Sequence, residues 1–547
     1  QTPNQKQHFT SFVSRLDTLF KTETRHGSYH GFGVKCTIQA RGVFGTRARE
    51  ANMKKTQSQH ETQPTQPLLP MREGGVFSWR FVAVVSLIAC IAIEVLFNLL
   101  PIDHNTTLLF WFFPASLLLF SQLYSSKGFT KHVEVKLLLA FLIWGIVTVV
   151  LNHSRAHMVD SYLWFAGACT VTFLCFGIGY AFEQEQAKRV LMWIITAMLI
   201  SAVVLSLVSL IAVFAKDFAA KFPSIFEDID IAGGRLGIDA HPNRSSPAPA
   251  LGIILAGILF ADTKSVWKRV LLILAAIVCY IPLAQTVSRT AILGTGIAIA
   301  FEIVLALRDA LKGRMHVVLR WGICVVAAAA VVLVFYKGAD WTVQTCNAIL
   351  AREASAQPVA EPAALPEAAS QPALEATSEP QAQTPEATAA VVSRDLSDAD
   401  SFNGRTDIWL GVWNGIKQNP SIFAIGTGPW VAPEAMAPYF PANSPIGIFH
   451  NSMVGTLVAF GIPGLLLAVA FLVLVAVSAL RFSFGKKQVQ PLAVRMLPGI
   501  LLFAVAEGMM EDFLFAVNSL NIVWIWFLIA AGFVFRLSKP EQAQKPE

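Results

Sequence analysis

Charge is scarce in this sequence: Asp, Glu, Lys and Arg together make up 14% of its 547 residues, where a soluble protein carries roughly a quarter. With 54% hydrophobic residues, that shortage excludes an ordinary water-soluble enzyme. Several catalytic signatures are also missing. There is no P-loop, HExxH, CxxC or GxSxG, so ATP hydrolysis, zinc proteolysis and serine-esterase chemistry lack the residues that carry them. Cysteine forms no framework either. Cys90, Cys169, Cys175, Cys279 and Cys324 lie inside apolar segments, where a thiol behaves as a small hydrophobe, and Cys346 stands alone in a polar loop. The net charge of +6 is spread through short loops rather than gathered in a stripe, so no nucleic-acid partner is expected.

What fills the chain instead is a series of apolar segments, near 79–100, 107–124, 137–151, 158–181, 190–215, 247–262, 270–286, 290–307, 318–337, 452–480, 493–509 and 514–535. Leu, Val, Ala, Ile and Phe dominate them, without the strict alternation of an outer-membrane barrel. Segments of about 18 apolar residues or more suit helices crossing a bilayer. The expected fold is an all-α polytopic membrane protein with about twelve transmembrane helices and the lipid bilayer as its surroundings.

Lys and Arg in short loops mark the cytoplasmic side. Lys127, Lys131 and Lys136, then Lys188 and Arg189, then Lys264, Lys268 and Arg269 fall in alternate loops. Arg308, Lys312 and Arg314, then Arg481, Lys486 and Lys487, continue the alternation. It puts both termini inside. Residues 1–78 read as a polar, disordered cytoplasmic tail. Because Met53-Lys54-Lys55 looks like a natural translation start, 1–52 are expected to be upstream sequence or part of that tail. Spans one to nine occupy 79–337, and a large extracytoplasmic loop covers 338–450 between spans nine and ten. Within it, 351–392 is rich in Ala, Pro, Glu, Gln and Thr and reads as a disordered insert. Spans ten to twelve take 451–536, and 537–547 form a cytoplasmic tail. Near the end of the large loop, Ile408, Trp409, Val412 and Ile416 recur at helical spacing, as in an amphipathic helix at the membrane surface.

This orientation collects a few polar residues outside. Arg289, in Gln285-Thr-Val-Ser-Arg289, sits at the outer mouth between spans seven and eight; from position alone it is equally well a snorkelling anchor. Arg405 stands just ahead of the amphipathic helix, where a solvated first-turn residue is the plain alternative. Arg235 follows Gly233-Gly234, with His241-Pro-Asn243 close behind, a pattern that also makes a simple turn. His450-Asn451 opens span ten; histidine suits general-base work near neutral pH, although a lone interfacial histidine is more often structural. Glu507, Glu511 and Asp512 fall at the outer end of span eleven, where an acid could orient an arginine or histidine. Arginine forks match phosphate oxygens, so the set fits a phosphate-bearing substrate delivered from the membrane and processed outside without ATP.

Gly404-Arg-Thr-Asp-Ile-Trp409, Asn419-Pro420, Gly426-Thr-Gly428, His450-Asn451 and Gly461-Ile-Pro-Gly464 resemble the conserved stretch of the O-antigen ligase and polymerase family. Gln285-Thr-Val-Ser-Arg289 is similar to that family's upstream arginine motif, and the resemblance extends over about 80–540. It implies a metal-independent, cofactor-free glycosyltransferase with a GT-C-like fold in the cytoplasmic membrane. Such an enzyme moves a glycan from an undecaprenyl-pyrophosphate carrier to an acceptor hydroxyl on the extracytoplasmic face. By that resemblance His450 is the base, Arg289 and Arg405 hold the pyrophosphate with Arg235 beside them, and Asn451 and Asp512 support the site. The insert departs from the family pattern. The acceptor is open between a lipid (ligase), a second carrier-linked glycan (polymerase) and a protein (oligosaccharyltransferase). A transporter is the alternative from another class; it predicts paired repeats and midplane charges, for which only Glu94 and Glu302 are candidates.

Overall fold

The computed structural model describes residues 79–96, 131–153, 158–222, 226, 229–232, 235–238, 242–356, 405–429, 432–440, 449–485, 490–515 and 521–538. The N-terminal tail 1–78, the expected span at 107–124, most of the insert at 351–392, His241 and residues 539–547 lie outside them.

The described helices of more than ten residues are α1 (Trp79–Leu96), α2 (Val133–Leu151), α3 (Met158–Gly177), α4 (Gln184–Phe214), α5 (Pro247–Asp262), α6 (Val266–Gln285), α7 (Arg289–Ala310) and α8 (Val317–Ala356). They continue with α9 (Arg405–Gln418), α10 (Ser452–Phe484), α11 (Pro498–Gly508) and α12 (Ile522–Leu537). Except for α9, each coincides with one of the apolar segments of the sequence. Among the described residues six helices (α2, α4, α6, α7, α8 and α10) are long and apolar enough to cross a membrane, and α5 and α12 are shorter apolar helices. The chain is a helical, multi-pass membrane protein.

Burial separates the helices by role. Every residue of α12 except Arg536 is buried, as expected of a helix that is apolar on all sides; it is the bundle's central post, against α3, α10 and α11. In contrast, α6 and α8 leave broad apolar faces open, Val270, Leu274, Val326 and Val334 among them, where lipid would cover them.

Two features depart from the expected outline. The first is a short antiparallel ribbon in the loop before α5, β1 (Ile229–Ala232) against β2 (Arg235–Ile238), with Ala232 opposite Arg235. The second is α8, whose 40 residues at about 1.5 Å rise reach roughly 60 Å, twice a hydrocarbon core of about 30 Å. The span does not end near 337: the helix runs on, and Ala339, Val343, Cys346 and Leu350 form a buried stripe along its second half. The apolar spacing continues although the local composition turns polar, so Cys346 is a buried helix residue and not a loop thiol.

The glycine motifs explain a break in α10. Gly461 has φ +65°, and Pro463 follows inside the helix; a proline lacks the N–H that the carbonyl four residues earlier needs. In a bilayer, carbonyls freed this way must find donors within the protein. Val458 O accepts from Thr427 N at 2.8 Å, Ala459 O from Gly428 N at 3.0 Å, and Phe460 O from Trp144 Nε1 at 2.7 Å. The Gly426-Thr-Gly428 turn is therefore the plug for the α10 kink. Gly426 has φ +88°, and a β-carbon there would collide with the Ala459 carbonyl. Gly426→Ala should lower the thermal midpoint of the detergent-purified protein by several degrees, since the left-handed conformation alone costs about 1–2 kcal/mol. An unchanged midpoint would remove the interlock from the account.

Candidate functional site

Five chain segments meet at one end of the bundle: the residues before α5, the start of α7, the start of α9, the residues before α10 and the turn after α11. Glu511 is the hub. Its Oε1 accepts from Arg405 Nη2 at 2.5 Å and from Asn243 Nδ2 at 2.6 Å, while Oε2 lies 2.9 Å from His450 Nδ1. The Glu511 side chain is 1% exposed, against 15% for Arg405 and 22% for His450. A carboxylate so enclosed is costly unless several donors satisfy it, and here three do.

The sequence builds each approach locally. Ile408, Val412 and Ile416 bury one face of α9, and Trp409 Nε1 donates to Phe449 O at 3.0 Å. That bond ties the start of α9 to the residue before His450, so Arg405 and His450 are held together. Gly411 and Gly415 form the close face of α9, where β-carbons would meet Phe440, Tyr439 and Met436. Asn451 caps α10, its Oδ1 accepting from Met453 N at 2.9 Å and Val454 N at 3.1 Å. Its Nδ2 donates to Met509 O at 2.9 Å. Ser452 Oγ donates to Glu511 O at 2.9 Å and accepts from Phe513 N at 3.1 Å and Leu514 N at 2.8 Å. Asn451 and Ser452 thus fix the 509–514 turn, and through it the position of Glu511 beside His450.

Strain marks the same place. Among the described residues Val287, His450 and Phe515 are the non-glycine residues with positive φ, at 50°, 50° and 57°. One precedes Arg289 by two positions, one is the candidate base, and one closes the turn after Glu511. Such conformations cost about 1–3 kcal/mol each and persist where the surroundings enforce them, often at functional sites.

Arg289 is the first residue of α7 and is half-buried. Thr290 Oγ1 beside it donates to Glu507 Oε2 at 3.4 Å. Glu507 is fully buried and precedes Glu511 by four positions, so this contact joins the start of α7 to the Glu511 hub. An arginine at a helix start adds its charge to the positive helix end, where anions are favoured.

The expected residues are distributed unequally. Arg405, His450 and Asn451 come together, and Arg289 lies at the adjoining helix start. Arg235 occupies the second ribbon strand, but its side chain lies outside the described part of the structure. Asp512 was expected as a supporting residue; it is half-buried against Gly455, where a β-carbon would stand 2.5 Å from its Oδ1. The contacts to Arg405 and His450 belong to its neighbour Glu511. Asn243 is the other partner not singled out, its only signal being the His241-Pro-Asn243 run after the glycines. Among the described residues no group of three or more His, Cys, Asp and Glu has the geometry to hold a metal ion.

Burial, with the Glu511 charge next to it, pushes the Asp512 carboxyl up from 3.8 to about 7. The folded protein then keeps a proton that the unfolded chain releases, so this group erodes stability as pH rises from about 4 to about 7, and no further above that. Asp512→Asn should be close to neutral near pH 4 and stabilising at pH 8. The variant-minus-parent difference in thermal midpoint against pH measures it; a flat difference would contradict the burial of the charge.

Residues 274–469 match the family model described as O-antigen ligase. No curated protein and no solved structure matches the chain.

Proposed function

We propose, starting from the O-antigen ligase match over 274–469, that this chain is a metal-independent GT-C-type transferase of the cytoplasmic membrane. It moves a glycan from an undecaprenyl-pyrophosphate carrier to an acceptor hydroxyl on the extracytoplasmic face. The observation that carries the reading is the Glu511 hub, which holds an arginine and a histidine on one buried carboxylate.

A glycosyl pyrophosphate is already activated, so two tasks remain. One is to steady the departing pyrophosphate; the other is to take the acceptor's proton. Arg405 spends one donor on Glu511 and offers the rest of its fork to phosphate oxygens, with Arg289 at the head of α7 and Arg235 in the ribbon. His450 Nδ1–H donates to Glu511, which leaves Nε2 as the acceptor. The acceptor oxygen attacks the anomeric carbon and its proton passes to Nε2. The anomeric carbon–oxygen bond breaks, and its electron pair leaves with the pyrophosphate. Attack opposite the leaving group inverts the anomeric centre. Asn451 supports this arrangement by fixing the loop on which His450 stands.

The test is the purified protein in lipid nanodiscs, given a defined undecaprenyl-pyrophosphate glycan and a panel of acceptors in the presence of EDTA. Product on lipid A–core identifies a ligase; product on a second carrier glycan or on a protein identifies the polymerase or protein-transferase reading. Dependence on added metal would overturn the mechanism. In the same assay Arg289→Ala and Arg405→Ala should each lower the rate by about 10²-fold or more, the usual cost of removing a preorganised charge-stabilising group; unchanged donor kinetics would remove the arginines from the site.

A further inference from the structure

At the end of α7 opposite the Glu511 hub, basic residues gather beyond what the protein itself neutralises. Residues 308–321 and 481–495 carry eight Lys and Arg against one acid, Asp309. Two buried guanidinium groups already share that acid. Arg495 donates to Asp309 Oδ2 from Nη1 at 2.6 Å and to Oδ1 from Nη2 at 3.3 Å, and Arg308 Nη2 reaches Oδ1 at 3.1 Å. Arg495 Nε also donates to Ser483 O at 3.2 Å, and Ser483 Oγ returns a bond to Arg495 O at 2.9 Å. Arg308 lies over the Phe484 ring, 5.0 Å from its centroid. These contacts tie the end of α7 to the end of α10 and use up Asp309.

The surrounding cations are left unanswered. Lys312 and Arg314 are exposed on the α7–α8 connection, which turns at Gly313 with φ +78°. Arg481 is exposed in the last turn of α10. Arg320 is half-buried in the first turn of α8, its Nε enclosed and unpartnered. Among the described residues none of these four has an acidic partner. Several basic residues of the other short loops are satisfied within the protein: Lys188 pairs with Glu185 at 2.6 Å, Arg269 Nε donates to Thr263 O at 3.0 Å, and Arg536 Nε to Phe182 O at 3.2 Å. An enclosed N–H without an acceptor is costly, so Arg320 calls for one from outside the chain. The apolar neighbours say of what kind. Val317, Val318 and Leu319 are exposed just before Arg320 and Trp321 just after it, and Trp321 packs on Phe484 with ring centroids 5.9 Å apart. A ligand here meets unpaired cations and uncovered hydrocarbon within one helical turn. An acidic soluble protein answers only the first; a phospholipid answers both, with phosphate oxygens that match a guanidinium fork.

We propose that the corner between the α7–α8 connection and the end of α10 binds the headgroup of an anionic phospholipid. Lys312, Arg314, Arg320 and Arg481 supply the positive field and the donors for its phosphate, as in other basic pockets between membrane helices. Val318 and Trp321 meet the start of its chains. The Arg308–Asp309–Arg495 cluster holds the two helix ends together, so the cations stand on a frame built before the lipid arrives. This site is independent of the transfer chemistry at the other end of α7.

The test titrates phosphatidylglycerol, and separately phosphatidylcholine, into the detergent-solubilised full chain and counts retained lipids by native mass spectrometry. Phosphatidylglycerol should be retained in preference to phosphatidylcholine and should raise the thermal midpoint. Lys312→Gln with Arg314→Gln should weaken that retention about thirtyfold, or roughly fivefold for each cation removed beside an anionic headgroup. Arg481→Gln, from the other wall, should weaken it about fivefold. The same loss of two charges by Lys264→Gln with Lys268→Gln, exposed residues at the α5–α6 turn, should leave it unchanged. All these variants should match the parent's thermal midpoint without added lipid, which separates lost binding from lost folding. Equal retention of the two lipids, retention unchanged in both corner variants, or equal weakening by the Lys264 and Lys268 control would overturn the proposal. So would equal stabilisation by soluble glycerol phosphate, which would mark a free-phosphate site instead of a lipid site.

Discussion

Replacing His450 with alanine is expected to abolish glycan transfer while the protein still folds into the membrane. The imidazole's hydrogen bond is to Glu511, and the loop that carries it is held by other bonds. Asn451 caps α10, and Trp409 holds Phe449. The loss should be on the order of 10²–10⁴-fold in rate, the contribution of a well-placed general base. It should fall on the chemical step and leave donor affinity nearly unchanged, because the histidine acts on the acceptor hydroxyl. The left-handed backbone at 450 adds a control: His450→Asn keeps a residue that tolerates positive φ yet cannot act as a base. Both variants should be equally inactive, with the asparagine protein nearer to the parent in thermal stability. Normal transfer by either variant would remove the base assignment.

Glu511→Gln is the second large effect expected, although residue 511 would touch neither sugar nor pyrophosphate. The substitution keeps the volume but removes the charge that answers Arg405 and orients His450 Nδ1. A guanidinium buried with its counter-charge removed is strongly unfavourable. An imidazole without its acceptor loses its fixed tautomer and orientation. A rate loss of roughly 10²-fold is expected, with donor affinity also weakened because Arg405 is no longer held. The double variant His450→Ala with Glu511→Gln separates this from a general structural defect. If Glu511 acts through His450, the double variant should transfer little worse than His450→Ala alone, since residues acting as a unit are not additive. Full additivity of the two losses in the chemical step would contradict the dyad.

Much of this was legible in the residues, and what was not has a physical cause. Apolar run length located the helices, since an uninterrupted hydrocarbon surface has few other uses in a chain of this length. Arg405 and His450 stood out because the charge-based orientation put them on one face and because they sit in the motifs Gly404–Trp409 and His450-Asn451 that resemble the family. The choice among Glu507, Glu511 and Asp512 was not legible. They sit within six positions, and which one faces His450 depends on a turn set by Ser452 Oγ and Asn451, residues some sixty positions earlier. Asn243 was hidden for the same reason, as its contact crosses 268 positions. The Gly426-Thr-Gly428 and Gly461-Ile-Pro-Gly464 motifs read only as parts of the stretch that carries the family resemblance; their geometry is that of a plug and the kink it fills. The length of α8 escaped a composition-based boundary because a four-residue apolar stripe persisted after the overall hydropathy had fallen.

The central claim is that one buried carboxylate organises an arginine and a histidine to move a glycan off a pyrophosphate carrier. The most direct measurement follows both products in one reaction: glycan on the acceptor, and undecaprenyl pyrophosphate released, from a donor labelled in the sugar and in the polyprenyl chain. The account predicts that the two appear in equal amounts with EDTA present, and that His450→Ala yields neither. Released carrier without acceptor product, glycan transfer with the phosphate still attached, or equal products from the alanine variant would contradict it.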